Sequence, residues 1–259
     1  MTLRSLQQKL NLTRNFSPYS EKLTDHINKK MDEITRDAVE RNRYYCRKQC
    51  FPDESFFTMT FAGNTEKNTL AYEKALKFAE NFKVFREKNA GMIFLGPCGT
   101  GKTYLAACVA NALIDQGKTC KLITMETALR EMRSAEDKGA YLKGLTAVDL
   151  LIIDDFGAEY DSDFAMAMAF EIINARYMSR GPLIVTTNFT KEEITNPEPK
   201  YGRIMSRLWE ICVPISFEGE DLRKLKMKRR LDKMRENAKA PGATDKASKS
   251  SLKNDQRQD

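Results

Sequence analysis

The sequence predicts an α/β fold, with a parallel five-stranded sheet flanked by helices and a small helical region before it. Short apolar runs recur along the chain, and segments with helical periodicity separate them. The run that ends at Ile153 is continuously apolar, which is typical of a strand covered on both faces in a parallel sheet. Strands that alternate with helices form right-handed crossovers, which gives a doubly wound sheet. The predicted strands are 92–95, 121–124, 148–153, 182–187 and 212–217.

A glycine-rich turn directly follows the first predicted strand. The stretch Gly96-Pro-Cys-Gly-Thr-Gly-Lys102-Thr103 fits the pattern G-x-x-x-x-G-K-[ST], and an apolar helical pattern begins at once after it. A strand, a loop and a helix in this order form the context of a phosphate-binding P-loop. Glycines let successive N–H groups point inward around an anion, and the helix N-terminus adds a partial positive charge. A glycine turn that contains Lys-Thr by chance is the alternative.

The P-loop assignment gives each residue of the loop a role. Lys102 would reach the β- and γ-phosphates of a nucleotide, and the Thr103 hydroxyl would bind Mg²⁺. The predicted nucleotide-binding residues of the loop are Gly96, Pro97, Cys98, Gly99, Thr100, Gly101, Lys102, Thr103 and Tyr104.

Polar residues end two further predicted strands. Asp154 closes an apolar strand expected beside the P-loop strand, where its carboxylate could hold Mg²⁺ together with Thr103. Asp155 could orient or deprotonate an attacking water, or it could instead cap the following turn. Asn188 ends the strand after these and could position water against the terminal phosphate. These residues predict hydrolysis as well as nucleotide binding.

Three arginines close in sequence to the last predicted strand are further candidate site residues. Arg203 and Arg207 are four residues apart, so they share one face of a predicted helix. They could serve surface solvation, or they could complete the active site of a neighbouring subunit. Arg223 lies six residues after the end of the last predicted strand.

Taken together, these motifs resemble those of the AAA+ ATPases, which have the P-loop NTPase fold, and among them the DnaC/DnaI helicase loaders and the IstB transposition helpers. The most telling phrases are Asp149-Leu-Leu-Ile-Ile-Asp154-Asp155-Phe-Gly157-Ala-Glu159, Thr187-Asn188 and Arg203-Ile-Met-Ser-Arg207-Leu. In addition, Cys50-Phe-Pro-Asp53 with the later Thr60-Phe61 is similar to the segment that precedes the ATPase in phage-type loaders. The resemblance covers about residues 50–230.

The resemblance implies a role for each matching residue. Lys102 and Thr103 would belong to Walker A, Asp154 and Asp155 to Walker B, Asn188 would be sensor 1, Arg207 the arginine finger with Arg203 its companion, and Arg223 would stand in for sensor 2. The sequence departs from the family at the last of these, where Gly-Glu-Asp-Leu-Arg223 replaces the frequent Gly-x-Ser-Tyr-Arg.

The resemblance also implies cofactors, partners and activity. ATP and Mg²⁺ are the expected cofactors, and slow, switch-like hydrolysis is the expected reaction. The chain would self-associate through its AAA+ interface and deliver a replicative helicase of the hexameric DnaB type to single-stranded DNA. The first alternative is an IstB-type helper that brings a transposase to DNA. The second is a P-loop kinase of small molecules, which would close arginines over the phosphates and lack the Asp-Asp and Asn pattern.

The distribution of charge bears on these partners. The formal net charge of +7 is uneven, because residues 1–50 hold 11 Lys and Arg against 6 Asp and Glu, and residues 219–259 hold 13 against 7. The middle of the chain is mildly acidic, with 19 against 23. Basic ends predict a polyanion or an acidic protein as partner, with solubility as the alternative.

Composition predicts where the protein works. No apolar run approaches the roughly 20 residues of a membrane span, and the first residues lack the apolar core of a signal peptide. The six cysteines are scattered, which is typical of a cytoplasmic protein without disulfides.

The predicted organisation has four parts. Residues 1–50 form a helical partner-binding region, broken at Ser17-Pro18, with a thin apolar stripe in its second helix. Residues 51–90 form a linker and an amphipathic helix over 68–88, and residues 91–235 form the ATPase domain, which ends in a basic helix. Residues 236–259 form a disordered basic tail. The stretch 135–147 has no clear period.

Overall fold

A computed structural model describes residues 18–64, 69–157 and 162–239 of the 259-residue chain. Its centre is a parallel sheet of five strands, β1 Gly91–Leu95, β2 Cys120–Thr124, β3 Leu150–Phe156, β4 Leu183–Thr187 and β5 Cys212–Ser216. The strands lie in the order β2-β3-β4-β1-β5, and every pairing is parallel. The expectation that the strand of Asp154 lies beside the P-loop strand is wrong, because β4 lies between β3 and β1. The predicted α/β fold is confirmed, with all five strands close to their predicted positions.

Helices cover both faces of this sheet. Two short 3₁₀ helices, Glu54–Thr58 and Pro199–Tyr201, add to them. The α-helices are α1 Pro18–Cys50, α2 Leu70–Glu80, α3 Phe82–Glu87, α4 Lys102–Asp115, α5 Met125–Ser134, α6 Lys138–Thr146, α7 Asp163–Met178, α8 Lys191–Thr195, α9 Gly202–Ile211 and α10 Leu222–Lys239. Within the described ranges, none of these helices combines the length and the apolar character needed to cross a membrane.

The strands are apolar along their whole length because each face of the sheet has its own core. In β1, Ile93 and Leu95 contribute to a core with α5, α7 and α9, whereas Met92 and Phe94 contribute to a core with α2 and α4. Successive side chains of a strand point to opposite faces, so a strand buried on both sides needs apolar residues at every position. This arrangement leaves the strand ends as the places for polar groups.

The structure corrects three boundaries. The helix predicted over 68–88 is two helices, because Asn81 ends α2 and its side-chain amide donates to the Lys77 carbonyl oxygen over 3.0 Å. The stretch 135–147 contains α6, whose first turn is capped by the Asp137 side chain. The basic helix α10 runs to Lys239, beyond its predicted end at residue 235. The tail beyond it and residues 1–17 lie outside the described residues.

One end of α1 packs against the body formed by the sheet and its helices. The Arg47 guanidinium donates to Asn111 Oδ1 over 2.9 Å and forms an ion pair with Asp115. Cys50 is fully buried, and burial raises the pKa of its thiol to about 12. Residues 24–42 of α1, in contrast, are exposed. We call this segment the α1 arm.

A buried arginine joins the starts of two strands. The guanidinium of Arg176, in α7, is 1% exposed and donates to the carbonyl oxygens of Thr146, Val148, Asp149 and Pro182 at 2.7–3.2 Å. Burial lowers its pKa to about 10, so the side chain remains a cation at neutral pH. It satisfies carbonyl groups of the turns before β3 and β4 that would otherwise be buried without donors.

Candidate functional site

The glycine-rich loop between β1 and α4 has the backbone geometry of an anion nest. Gly96, Gly99 and Gly101 have φ angles of +133°, +82° and +94°, in the region that favours glycine. A Cβ on Gly96 would lie 2.2 Å from the carbonyl oxygen of Phe217, which is a backbone atom. Thr100 Oγ1 donates to the Pro97 carbonyl oxygen over 2.9 Å and closes the loop. The loop therefore requires its glycines and fits a bound phosphate chain.

Lys102 places a buried cation at this loop. The residue is 6% exposed, and its ammonium donates to the carbonyl oxygens of Gly96 at 2.7 Å and Pro97 at 2.8 Å, and to Asn188 Oδ1 at 3.0 Å. Burial lowers the pKa of Lys102. All three acceptors are neutral, so a phosphate oxygen would be a stronger partner for the same cation. The loop and its lysine thus fit the triphosphate of ATP.

Asp154 provides a buried carboxylate beside the lysine. Asp154 is 4% exposed and lies near the carboxyl end of β3. Its Oδ1 accepts hydrogen bonds from Thr103 Oγ1 at 2.9 Å and Thr186 Oγ1 at 2.5 Å. Burial raises the pKa of Asp154, while the two hydroxyl donors oppose this effect. A carboxylate and a hydroxyl oxygen next to a phosphate loop are suitable Mg²⁺ ligands. The donor set therefore fits this metal.

Asp155 has a different environment from its neighbour. Its φ angle is +53°, its side chain is exposed, and the β3–β4 register shifts between Ile153 and Phe156. The Asp155 N–H donates to Thr186 Oγ1 over 3.0 Å, which holds this unusual backbone. Among the described residues, none donates a hydrogen bond to the Asp155 carboxylate. The exposed carboxylate is accessible to water.

The residue after this bulge must also be glycine. Gly157 has a φ angle of +90°, and a Cβ there would lie 2.4 Å from the ring of Phe189. Phe189 directly follows Asn188, so the two strand ends that carry the polar residues pack against each other.

The start of α10 packs on the other side of the loop. The Leu222 N–H donates to the Gly99 carbonyl oxygen over 3.0 Å, and Arg223 Nη1 contacts Cys98 Sγ at 3.7 Å. A Cβ on Gly99 would lie 2.0 Å from Asp221 Oδ1, which itself accepts the Arg223 N–H. The structure therefore places Arg223 beside the P-loop, and its role in nucleotide binding stays a prediction. Asp221 was not predicted as a site residue, although its position just before a helix is a capping signal.

Tyr104 lies apart from the other predicted loop residues. Its ring packs with the core on the α2 and α4 side, and a Cβ on Gly63 would lie 3.5 Å from its hydroxyl oxygen. Tyr104 thus contacts the phenylalanine-rich segment before the domain, and its role in nucleotide binding stays a prediction.

The guanidinium groups of Arg203 and Arg207 pack against α7. Each guanidinium stacks on an aromatic ring of α7, with Arg203 Cζ 4.1 Å from the Phe170 centroid and Arg207 Cζ 4.5 Å from the Tyr177 centroid. The Tyr177 hydroxyl donates to Glu210 Oε1 over 2.6 Å. Among the described contacts, neither arginine forms a hydrogen bond or an ion pair with Lys102, Asp154 or Asn188. Their action on a neighbouring subunit stays a prediction.

We predict that Lys102→Ala removes most nucleotide binding, because it deletes the one cation buried among the loop carbonyls of the described site. Titration with a fluorescent ATP analogue should show a loss of affinity of about a hundredfold or more. Lys83→Ala, on the exposed surface of α3, is the control and should bind normally. Equal affinity of Lys102→Ala and the control would contradict the P-loop assignment.

Comparison with known proteins agrees with this geometry. The replicative helicase loader DnaC of Escherichia coli (strain K12) is 33% identical over 130 residues, which are 48% of this chain and 52% of DnaC. The chain thus matches about half the length of this curated relative. A crystal structure of DnaI, 26% identical, superposes with a TM-score of 0.54 over 66% of this chain and 94% of DnaI.

A crystal structure of a DnaC helicase loader, 22% identical, superposes with a TM-score of 0.56 over 64% of this chain and all of that one. At this identity the likeness concerns the fold alone, and it agrees with the predicted α/β architecture. The family described as IstB-like ATP binding protein matches residues 21–231. The chain therefore belongs to the family of IstB-like ATP binding proteins.

Proposed function

We propose that this protein is a Mg²⁺-dependent ATPase that holds a replicative helicase and delivers it to single-stranded DNA. One observation carries the proposal, which is the meeting of Lys102, Asn188 and the Thr103–Asp154 pair at the carboxyl edge of the sheet. Membership of an ATP-binding family makes nucleotide binding the first function of this edge. A replicative helicase is the proposed partner because a relative that matches this chain over about half its own length is a replicative helicase loader.

The roles of the residues follow from their environments. Lys102 binds the β- and γ-phosphates, and Thr103 and Asp154 hold the metal. Mg²⁺, when bound, neutralises charge on the phosphate oxygens. Asp155 orients the attacking water and accepts its proton, since its carboxylate is exposed while that of Asp154 is buried. Asn188, hydrogen-bonded to Lys102, orients the same water from β4.

Hydrolysis needs a second subunit in this proposal. Arg207 is stacked on Tyr177 and has no described hydrogen bond to its own P-loop. It would therefore serve the nucleotide of a neighbouring copy, with Arg203 beside it. Arg223, next to Cys98, would report on nucleotide from within the same chain. Turnover is then slow in the free monomer and depends on assembly, as suits a switch between holding and releasing states.

Partner binding belongs to the regions outside the nucleotide site. Residues 1–50 would contact the helicase, residues 51–90 connect them to the ATPase domain 91–235, and residues 236–259 form a basic tail. Single-stranded DNA would bind the positive charge of α10 and the tail, where Lys and Arg outnumber Asp and Glu. A loader that works in the cytoplasm on single-stranded DNA does not need a helix that binds the major groove of a duplex. Its affinity for DNA should decrease as the salt concentration rises.

A transposition helper is the second candidate function. The family description names IstB, and both functions use the same ATPase site. The partner alone separates them. A small-molecule kinase has less support, because Asp155 and Asn188 flank the phosphate site where a kinase would need an acceptor pocket.

We predict that the full-length chain, with ATP and Mg²⁺, co-elutes with the replicative helicase of its host in size-exclusion chromatography. Adding single-stranded DNA should release the helicase in the wild type but not in Asp155→Asn, which binds ATP without hydrolysing it. Capture of a transposase in place of the helicase would support the IstB-type function. Absence of any complex with the helicase would contradict the proposed helicase-loader function.

We predict that Arg207→Ala binds ATP with near-normal affinity but loses about a thousandfold in turnover, the usual effect of removing an arginine finger. Mixing Arg207→Ala with Lys102→Ala should restore part of the activity, since one variant offers an intact pocket and the other an intact arginine. Arg130→Ala, an exposed arginine of α5, is the control. If Arg207 only supports its own helix through Tyr177, mixing will restore nothing and Arg207→Ala will melt at a lower temperature.

A further inference from the structure

The α1 arm carries an apolar stripe that belongs to neither of the two described cores. Ile27, Met31 and Ile34 are 52%, 56% and 59% exposed, and Ala38 is exposed as well. These residues are spaced by four, three and four positions, so they form one line along the helix. This alternation of threes and fours is the spacing of a helix that packs lengthwise against another helix.

The stripe faces away from the ATPase body. Tyr45 follows Ile27 by about five helical turns, so it continues the same line, and it is 62% exposed. Arg47 and Cys50, which contact the body, lie on the opposite side of the helix. A second helix can therefore lie along the stripe without meeting the body.

We propose that two copies of this protein pair through their α1 arms, as an antiparallel pair of helices related by a twofold axis. The axis passes between Asp32 and Glu33. Met31 then packs against Ile34 of the second copy, and Ile27 packs against Ala38 of the second copy. Each contact occurs twice, as required of a symmetric interface.

Charge complementarity selects this register and direction. Lys30 and Asp37 are seven residues apart and flank the stripe on the same side. In the antiparallel pair, Lys30 lies opposite Asp37 of the second copy, and Asp37 lies opposite the second copy's Lys30. On the other flank, Asn28 meets Thr35 of the second copy, both uncharged. A parallel pair in register would bring Lys30 to Thr35 and would form no opposite-charge contact.

Pairing hides the surface proposed above to hold the helicase. A dimer of the free protein would therefore have to dissociate before the helicase binds. The second copy and the helicase compete for the same stripe. The pair involves neither the P-loop nor the arginines of α9, so it should form without nucleotide. Four small apolar contacts per arm place it among weak, reversible interfaces.

Sedimentation of the full-length chain without nucleotide tests the proposal. The wild type should show a monomer–dimer equilibrium, and Met31→Glu should remain monomeric. Lys30→Asp and Asp37→Lys should each weaken dimerisation by about tenfold, because two attractive contacts become repulsive. The double variant Lys30→Asp/Asp37→Lys should return to within about twofold of the wild type. Lys29→Asp, which reverses a charge on the side away from the stripe, is the matched control and should behave as the wild type.

Three results would overturn the proposal. The first is a wild type that is monomeric at every concentration. The second is a double variant that is no tighter than the single ones, because the predicted contacts would then not exist. The third is dimerisation that appears only after residues 1–17 are removed, since that segment would then cover the stripe in the full chain.

Discussion

The hydrogen bonds from Thr103 and Thr186 to Asp154 are the constraint on which the site depends. They join the first turn of α4, the end of β3 and the end of β4 at one buried carboxylate. A carboxylate buried this deeply is tolerated only when donors surround it. Thr186 also accepts the N–H of Asp155, which fixes the left-handed backbone there. A single threonine thus holds one acid inside the fold and turns the next one toward water.

The strand order makes this junction possible. β4 lies between β3 and β1, so the ends of these three strands bring Asp154, Asn188 and the P-loop to one edge of the sheet. Parallel α/β sheets place their ligand sites at this carboxyl edge. The start of α10 closes the loop from the opposite side through Leu222 and Asp221. The phosphate site is therefore supported on both flanks, by the polar strand ends and by the helix that follows β5.

The strands and the P-loop could be predicted because their signals are local, in continuous apolar runs and a glycine pattern. The break at Asn81 and the helix over 138–146 were missed, since each depends on one capping side chain rather than on periodicity. Arg176 gave no signal at all. A cation within a helix is usually exposed, and here its burial depends on carbonyl groups of turns far apart in the chain. Asp221 carried a capping signal, but its close approach to Gly99 brings together residues far apart in the chain and could not be predicted.

The division of labour between Asp154 and Asp155 is tested most directly by the effect of Mg²⁺ on nucleotide affinity. A fluorescent, non-hydrolysable ATP analogue is titrated into the wild type, Asp154→Asn and Asp155→Asn, with Mg²⁺ and with a chelator. Mg²⁺ should tighten binding on the order of tenfold or more in the wild type and in Asp155→Asn, and far less in Asp154→Asn. A full Mg²⁺ effect in Asp154→Asn, with its loss in Asp155→Asn, would show that the exposed carboxylate holds the metal and would contradict the assignment.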